Sequence, residues 1–215
     1  GVNFVLVHDS RSASPHDHYL LINNDAVAGP SLVTGLMAAL KQNPRAVIVG
    51  PRVISNGKIG ECGVWYHRYL GLLLSRSRRF CFHYLSGCCL FFRQDLVGDS
   101  GLFDEAFFMY GEDAELGWRL ARAGRQIVCA TEVFVKHEAG SSSNKTGLFY
   151  EYHIARGHVL LGLRTWVHPV EIPLIMAAKF FALASRAIVR CFRHRSFVPF
   201  AAFFLAWFPL KMERA

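Results

Sequence analysis

Six cysteines form no CxxC pair, and two of them, Cys88 and Cys89, are adjacent. That spacing suits neither a zinc site nor a disulfide framework, so Cys62, Cys81, Cys88, Cys89, Cys129 and Cys191 are expected to be reduced, mostly buried thiols of a cytosolic protein. The opening has no basic start followed by an apolar run and a small-residue cleavage site, so no cleavable signal peptide is expected. No glycine-rich phosphate loop lies near the start, which argues against a nucleotidyltransferase. Acids are scarce, 16 against 24 Lys and Arg, for a net charge of +8. The bases thicken at Arg76 to Arg79 and at Arg190 to Arg195, outside any recognisable nucleic-acid module. No nucleic-acid partner is expected; an anionic membrane surface or a phosphorylated ligand fits the charge better. Long uncharged apolar runs are missing too. Residues 172–189 contain Lys179 and Arg186, and residues 197–210 fall short of the about 20 residues of an ordinary span, so a transmembrane hairpin is disfavoured.

The chain has 215 residues, 52% of them apolar, and a mean hydropathy of +0.23, high for a purely soluble domain. That length suits one domain with a full core plus an appendage. The densest signal is residues 101–124, GLFDEAFFMYGEDAELGWRLARAG. An apolar turn leads into a helix whose stripe runs Leu116, Leu120 and Ala123, the spacing of one buried face. Asp113 falls on that stripe and is expected to point inward, whereas Glu115 should point away and pair with Arg119 one turn later. Glu112 and Asp113 also suit a helix N-terminus, where unpaired N–H groups and the helix dipole favour negative charge. Gly124 is placed to end the helix.

Residues 2–8 are a short apolar run that reads as a strand, and 9–17 as a polar loop. Residues 19–23, YLLIN, are apolar on both faces, as in a strand buried within a parallel sheet. They run into Asn23-Asn24-Asp25, and Pro30 then sits where a first helical residue belongs, ahead of a helix over 31–42. This order puts Asp25 at the carboxyl end of a strand, the edge where open α/β sheets bind ligands. An Asx turn joining strand to helix is the plainer use of the same residues. Residues 46–50 read as another buried strand, and 51–65 as a twisted hairpin turning at Asn56-Gly57. Residues 68–79 mix leucines with four arginines and take no firm assignment, a mobile loop over the site being one reading. Residues 84–93, YLSGCCLFFR, are strand-like, with Gly87 marking a bulge or a close approach of substrate or backbone. Two more strands follow at 126–129 and 131–137. The second ends in His137, either a satisfied polar group or a metal ligand. From residue 149 the pattern is helical, with Tyr152, Ala155, Val159 and Leu163 on one face.

The stretch FDEAFFMYGEDAELGWRLARAG, with YLSGCCLFFR before it, closely resembles the family 2 glycosyltransferases of the GT-A fold, especially their bacterial rhamnosyltransferase-like branch. The resemblance covers roughly residues 19–164 and is strongest over 84–143. It implies an α/β fold with a GT-A-like (Rossmann-like) mixed, mostly parallel sheet flanked by helices. It implies an inverting glycosyltransferase that moves a sugar from a nucleotide-sugar donor to a saccharide or lipid-linked acceptor in cell-surface polysaccharide synthesis, with dTDP-rhamnose as the branch-level donor. In the family the acidic pair opening the helix faces the acceptor and its Asp is the general base; the matching residues are Glu112 and Asp113. The triplet Asn23-Asn24-Asp25 resembles the family's DxD motif, with Asn23 replacing the first acid. Asp25 then binds the divalent metal, Mg²⁺ or Mn²⁺, that holds the donor diphosphate. His137, followed by the small polar run 139–143, matches a histidine that completes the metal site. Gly87 joins Asn23, Asn24 and Asp25 as a nucleotide-sugar contact.

The helix after residue 149 resembles the family's YxxRN helix through Tyr152 and Arg156, with Gly157 where Asn is commoner. Arg156 serves either as a diphosphate contact or as an anchor for the helix, and the anchor is preferred. Family members normally carry, ahead of the position of Tyr19, a strand and loop with the acid that holds base and ribose, then a segment rich in Gly and Asn. Neither is recognisable, so the transferase domain over 1–168 is expected to be N-terminally incomplete. Residues 169–215 read as a membrane-associating tail, a pair of interfacial helices with the basic hinge RCFRHR between them. The expected location is cytoplasmic, peripheral on the inner face of the cell membrane. A helical hairpin packed on the domain or at an oligomer interface is the alternative for the tail. A catalytically incomplete membrane-associated binding or scaffold module is the alternative for the whole. The sequon at 144–146 is a chance match in a cytosolic chain.

Overall fold

Successive side chains of a strand face opposite sides of a sheet, and residues 89–92 divide in that way. Cys89 and Phe91 join one apolar cluster with Leu32, Leu36, Leu40, Val49 and Val135, while Leu90 and Phe92 join another with Leu6, Val47, Ile48, Leu116 and Leu120. A sheet that is apolar on both faces needs helices on both.

The computed structural model describes residues 2–55, 57–60, 63–98, 101–137 and 146–210. Its elements are α1 (Val2–Ser10), β1 (His18–Ile22), β2 (Ala26–Ala28), α2 (Leu32–Gln42), β3 (Ala46–Ser55), β4 (Lys58–Ile59), β5 (Val64–His67), β6 (Leu73–Leu74), β7 (Cys81–Tyr84), β8 (Cys89–Arg93), α3 (Glu112–Arg122), β9 (Gln126–His137), α4 (Leu148–Arg164), α5 (Ile172–His194) and α6 (Val198–Leu205). The main sheet runs β1-β8-β3-β9-β2, with β4 hairpinned onto β3. The α2 side chains cover one face, and those of α1 and α3 the other.

The fold is the expected mixed α/β sheet flanked by helices, with differences that have local causes. Only β3 and β9 pair in parallel; the other described ladders of this sheet are antiparallel. The sheet is therefore not mostly parallel. The chain reaches β8 through a small second sheet, β6-β5-β7, instead of a crossover helix, so β8 returns antiparallel. β1 is an edge strand with Leu20 37% exposed, not a buried parallel one. The run 2–8 is helical, not extended. Asn3 in α1 accepts from the Leu102 and Phe103 N–H groups at 2.9 and 3.0 Å and donates to the Phe103 carbonyl at 2.7 Å. Those long-range bonds and the burial of Leu6 outweigh a weak β preference.

Residues 126–137 form one strand rather than two, with a register shift where Pro51 pairs with Ala130 and Arg52 with Phe134. The hairpin at 51–65 is present in its first part: Ser55 pairs with Lys58 and Gly57 has φ +71°, while Asn56 itself lies outside the described residues. Residues 68–79 are not a free loop over the site. Buried Arg68 donates to the Thr165 carbonyl and to Glu171, both at 3.0 Å, and β6 pairs with β5. Cys129 is disulfide-bonded, against the expectation of six reduced thiols, whereas Cys81, Cys88, Cys89 and Cys191 are free. The run 139–143 and most of the sequon lie outside the described residues.

Helices α4, α5 and α6 pack together around Val159, Leu183, Ala187 and Phe203. Buried Glu151 of α4 accepts from Arg186 at 2.8 Å and Arg190 at 2.5 Å on α5. On α4, Tyr152, Ala155 and Val159 are buried as expected, but Leu163 is 37% exposed.

Candidate active site

A carboxylate at the start of a helix meets unpaired backbone N–H groups. The turn before α3 makes this unusually direct, because Tyr110 and Gly111 both adopt positive φ, 64° and 108°. The turn thereby aims the first helical residues back toward β7. Asp113 Oδ1 accepts from the Ala114 N–H at 2.8 Å, and its Oδ2 accepts from the Gly87 N–H at 3.1 Å. Gly87 therefore contacts the acidic pair, between β7 and β8. Glu112 has the opposite surroundings: its Oε2 is buried and, among the described residues, has no hydrogen-bond partner. Burial, then the neighbouring Asp113 charge, pushes the Glu112 carboxyl up to about 7. Burial raises Asp113 as well, against the two N–H bonds that favour its anion. Of two coupled acids, the one receiving N–H bonds keeps the charge and the orphaned one keeps the proton. Glu115 does pair with Arg119, at 3.2 Å, but it is buried rather than outward, because Arg119 also donates to the Leu102 carbonyl at 2.6 Å and draws the turn over it.

The triplet reaches this turn through the backbone. The Asn23 N–H donates to the Cys88 carbonyl at 2.9 Å, and the Asn23 carbonyl accepts from Ala26 at 3.0 Å. Burial raises the Cys88 thiol, and the charges of Asp113 and Asp25 add to it, so this cysteine feels both acids. Since Ala26 pairs with His137 across β2 and β9, Asp25 lies beside the histidine. His137 Nε2 donates to Asp25 Oδ1 at 3.0 Å. The side chains of Asn23 and Asn24 are exposed at the same corner. No group of three His, Cys, Asp or Glu side chains gathers there among the described residues, so the corner offers one carboxylate and one imidazole. The carboxylate suits a hard divalent cation that draws its other ligands from water and phosphate, whereas an imidazole more often serves zinc or copper.

Arg156 stands apart from both groups. Its Nη1 donates to the Ala206 carbonyl at 3.1 Å, so it anchors α4 to the segment after α6 and contacts neither the triplet nor the acidic pair. Gly157, the departure from the YxxRN pattern, has a steric cause: a Cβ there would lie 2.1 Å from the Tyr110 carbonyl oxygen. The left-handed turn needs that space.

A cavity of about 220 Å³ opens beside the acidic pair, lined among others by Tyr66, Tyr84, Tyr110, Glu112, Asp113 and His158. Tyr66, His158 and the buried Lys179 behind them were not singled out as site residues from the sequence. The one available signal was a lysine placed mid-way in an apolar helix.

The acid-led helix and the Asp25–His137 corner are thus joined through the turn at residues 87–88. The sequence matches the family described as "Glycosyltransferase like family 2" over residues 4–149, and the chain belongs to that family. Among curated proteins it is similar to the N-acetylglucosaminyl-diphospho-decaprenol L-rhamnosyltransferases of Mycobacterium tuberculosis strains CDC 1551 / Oshkosh and ATCC 25618 / H37Rv. Each is 30% identical over 164 residues, covering 66% of this chain and 52% of the relative. The chain thus spans about half the length of the curated relatives it matches.

Proposed function

We propose that the protein is an inverting glycosyltransferase that moves a sugar, rhamnose from a dTDP donor, onto a lipid-linked saccharide. The observation that carries this reading is Asp113, held at the wall of a ring-sized cavity by two backbone N–H bonds. A carboxylate so fixed takes the proton from an acceptor hydroxyl as that oxygen attacks the anomeric carbon. General-base help of this kind typically contributes about 10²–10⁴-fold. One carboxylate suffices for a single displacement with inversion. Glu112 orients the acceptor beside it. Asp25 and His137 would hold Mg²⁺ or Mn²⁺, which when bound offsets the charge of the leaving nucleoside diphosphate. Asn23, Asn24 and Gly87 line the approach of the donor. The activity of the relatives supports an acceptor that ends in N-acetylglucosamine on a lipid diphosphate.

The membrane part of the reading rests on the tail, residues 169–215, which we treat as an appendage to a transferase domain over 1–168. Residues 169–194 form a helix long and apolar enough to cross a membrane by length and composition. One face of α5, with Ile175, Lys179, Leu183 and Ala187, is buried against the protein, while Leu174, Phe181, Phe192 and Phe197 are 63–85% exposed. A helix gripped along one side in this way lies in an interface rather than across it. Arg193 and Arg195 stand exposed at its end, where anionic headgroups attract them. The protein would then work peripherally, on the cytoplasmic face.

Calorimetric titration with UDP, dTDP and GDP, each with and without Mn²⁺, tests the donor reading. Metal-dependent binding of dTDP that disappears in Asp25→Ala is the expected result. Binding of none of the three would overturn the reading and favour a non-catalytic binding module. Sedimentation with anionic vesicles, lost in Phe192→Asp, tests the tail.

A further inference from the structure

We infer that His158 is the acceptor-recognition residue of this site, donating a hydrogen bond from Nε2 to a pyranose ring seated in the cavity beside Asp113, and that Tyr66 and Lys179 of the tail helix position it. The inference rests on the transferase reading and adds to it a specificity residue and a role for α5.

The argument starts from hydrogen-bond polarity. Buried Lys179 donates from Nζ to the Tyr66 hydroxyl at 2.5 Å. The hydroxyl has one proton, and its oxygen is already accepting, so the proton goes to the neighbour 2.8 Å away, His158 Nδ1. Nδ1 is therefore the acceptor, and a neutral imidazole whose Nδ1 accepts carries its proton on Nε2. Burial, with the charges of Lys179 and Arg186, lowers His158 to about 3, so the ring stays neutral. Burial likewise holds the Tyr66 phenol well above its ordinary range, so it stays a donor. Among the described residues no hydrogen bond engages Nε2, and His158 lines the cavity. A single direction thus runs from Lys179 through Tyr66 to a free N–H.

Glu112 and Asp113 line the same cavity, and Glu112 Oε2 has no hydrogen-bond partner among the described residues. Polar groups and tyrosine rings lining one cavity suit a sugar, whose hydroxyls both donate and accept and whose C–H faces pack on aromatics. The size selects among ligands. At about 220 Å³ the space is below the roughly 300–1,000 Å³ of sites that enclose drug-sized molecules. That room suits one ring of the acceptor. Among the described residues Lys179 has no carboxylate partner; without it the Tyr66 hydroxyl could turn and His158 could exchange tautomers.

The test is saturation-transfer NMR with methyl N-acetyl-glucosaminide on the full chain, with dTDP and Mn²⁺ titrated separately to monitor the donor site. In His158→Asn the amide oxygen can stand in for Nδ1 and keep the Tyr66 bond, while nothing replaces Nε2. Expected is sugar affinity weakened about tenfold, the worth of one good hydrogen bond, with unchanged dTDP binding and an unchanged melting curve. A purely structural histidine would leave sugar binding intact in that variant, and this result would overturn the inference. So would the absence of sugar binding in the native chain while dTDP binds. Sugar binding without dTDP binding would uphold the inference and sink the donor reading instead. Lys179→Met gives the positioning test: ¹⁵N shifts should report Nε2–H for His158 in the native chain and a tautomer mixture in the variant. An Nδ1–H tautomer in the native chain would overturn the proposed direction.

Discussion

The two acidic corners of the site are built by different means. At the α3 turn, Asp113 is held by backbone: two N–H groups, a left-handed Tyr110-Gly111 pair and a glycine on α4 that admits the Tyr110 carbonyl. At the β1 end, Asp25 is held by a side chain, His137, and both are only partly covered, 24% and 15% exposed. Backbone-fixed groups are organised before any ligand arrives, which is what a general base requires. Groups that meet only each other are free to separate, which is what a ligand pair requires. The difference fits the base and metal roles proposed for Asp113 and Asp25.

The largest break in this comparison is expected from Asp113→Asn. Proton removal is lost, so transfer from dTDP-rhamnose should fall by about 10²–10⁴-fold, while nucleotide affinity should stay within twofold, about 0.4 kcal/mol. A radiolabelled transfer assay beside calorimetry would show both, and loss of nucleotide binding in this variant would undo the separation of roles. Asp25→Ala should do the reverse. Loss of an outer partner of a metal ligand already costs about 10–100-fold in affinity, so loss of the ligand should weaken Mn²⁺-dependent dTDP binding by at least that much. Its melting curve should barely move. Next in size, Gly157→Ala pushes a methyl against the Tyr110 carbonyl, an overpacking cost of about 1–3 kcal/mol. It should lower the melting temperature and the turnover together and leave dTDP binding in place.

How much of this was readable from the sequence depends on how local the cause is. The α3 helix, its Gly124 stop with φ +65°, the Glu115–Arg119 pair and the strand that ends at the triplet follow from spacing within a dozen residues, whereas the expected loop from the triplet to α2 contains the short strand β2, which pairs with distant β9. The meeting of Asp25 with His137, 112 positions apart, was reached through resemblance and not through any local pattern. What failed was set by distant partners. α1 is a helix because Asn3 bonds a turn about 100 residues away. Residues 68–79 are tied down because Arg68 reaches Thr165 and Glu171. The small sheet turns β8 antiparallel, which no period in the strand itself encodes. The Lys179–Tyr66–His158 chain joins three elements, and only its lysine leaves a mark in the sequence, as a charge in an apolar run.

The smallest predicted effect separates the two neighbours of the acidic turn. Glu112 titrates near 7 in the folded chain, raised by burial and by Asp113 from an ordinary 4.5. Between those values the folded state holds a proton that the unfolded state has released, so the carboxyl costs stability progressively as pH rises from 4.5 through 7. The upper bound is about 3 kcal/mol, and relaxation around a half-buried group reduces it to about 1–2 kcal/mol. Glu112→Gln should therefore unfold at a higher denaturant concentration than the native chain at pH 7.5 and at a nearly equal one at pH 4.5. Lys179 does not blur this window. Burial lowers it from 10.5 to about 7, so its cost is constant below 7 and fades only as pH rises toward 10.5. Asp113 shifts in the same direction as Glu112, which is why the comparison is between native and variant rather than between two pH values of one protein. An equal stability gap at both pH values would mean that Glu112 is charged throughout. The orphaned oxygen would then have a partner in solution, and Asp113 would no longer be the sole anion of the pair.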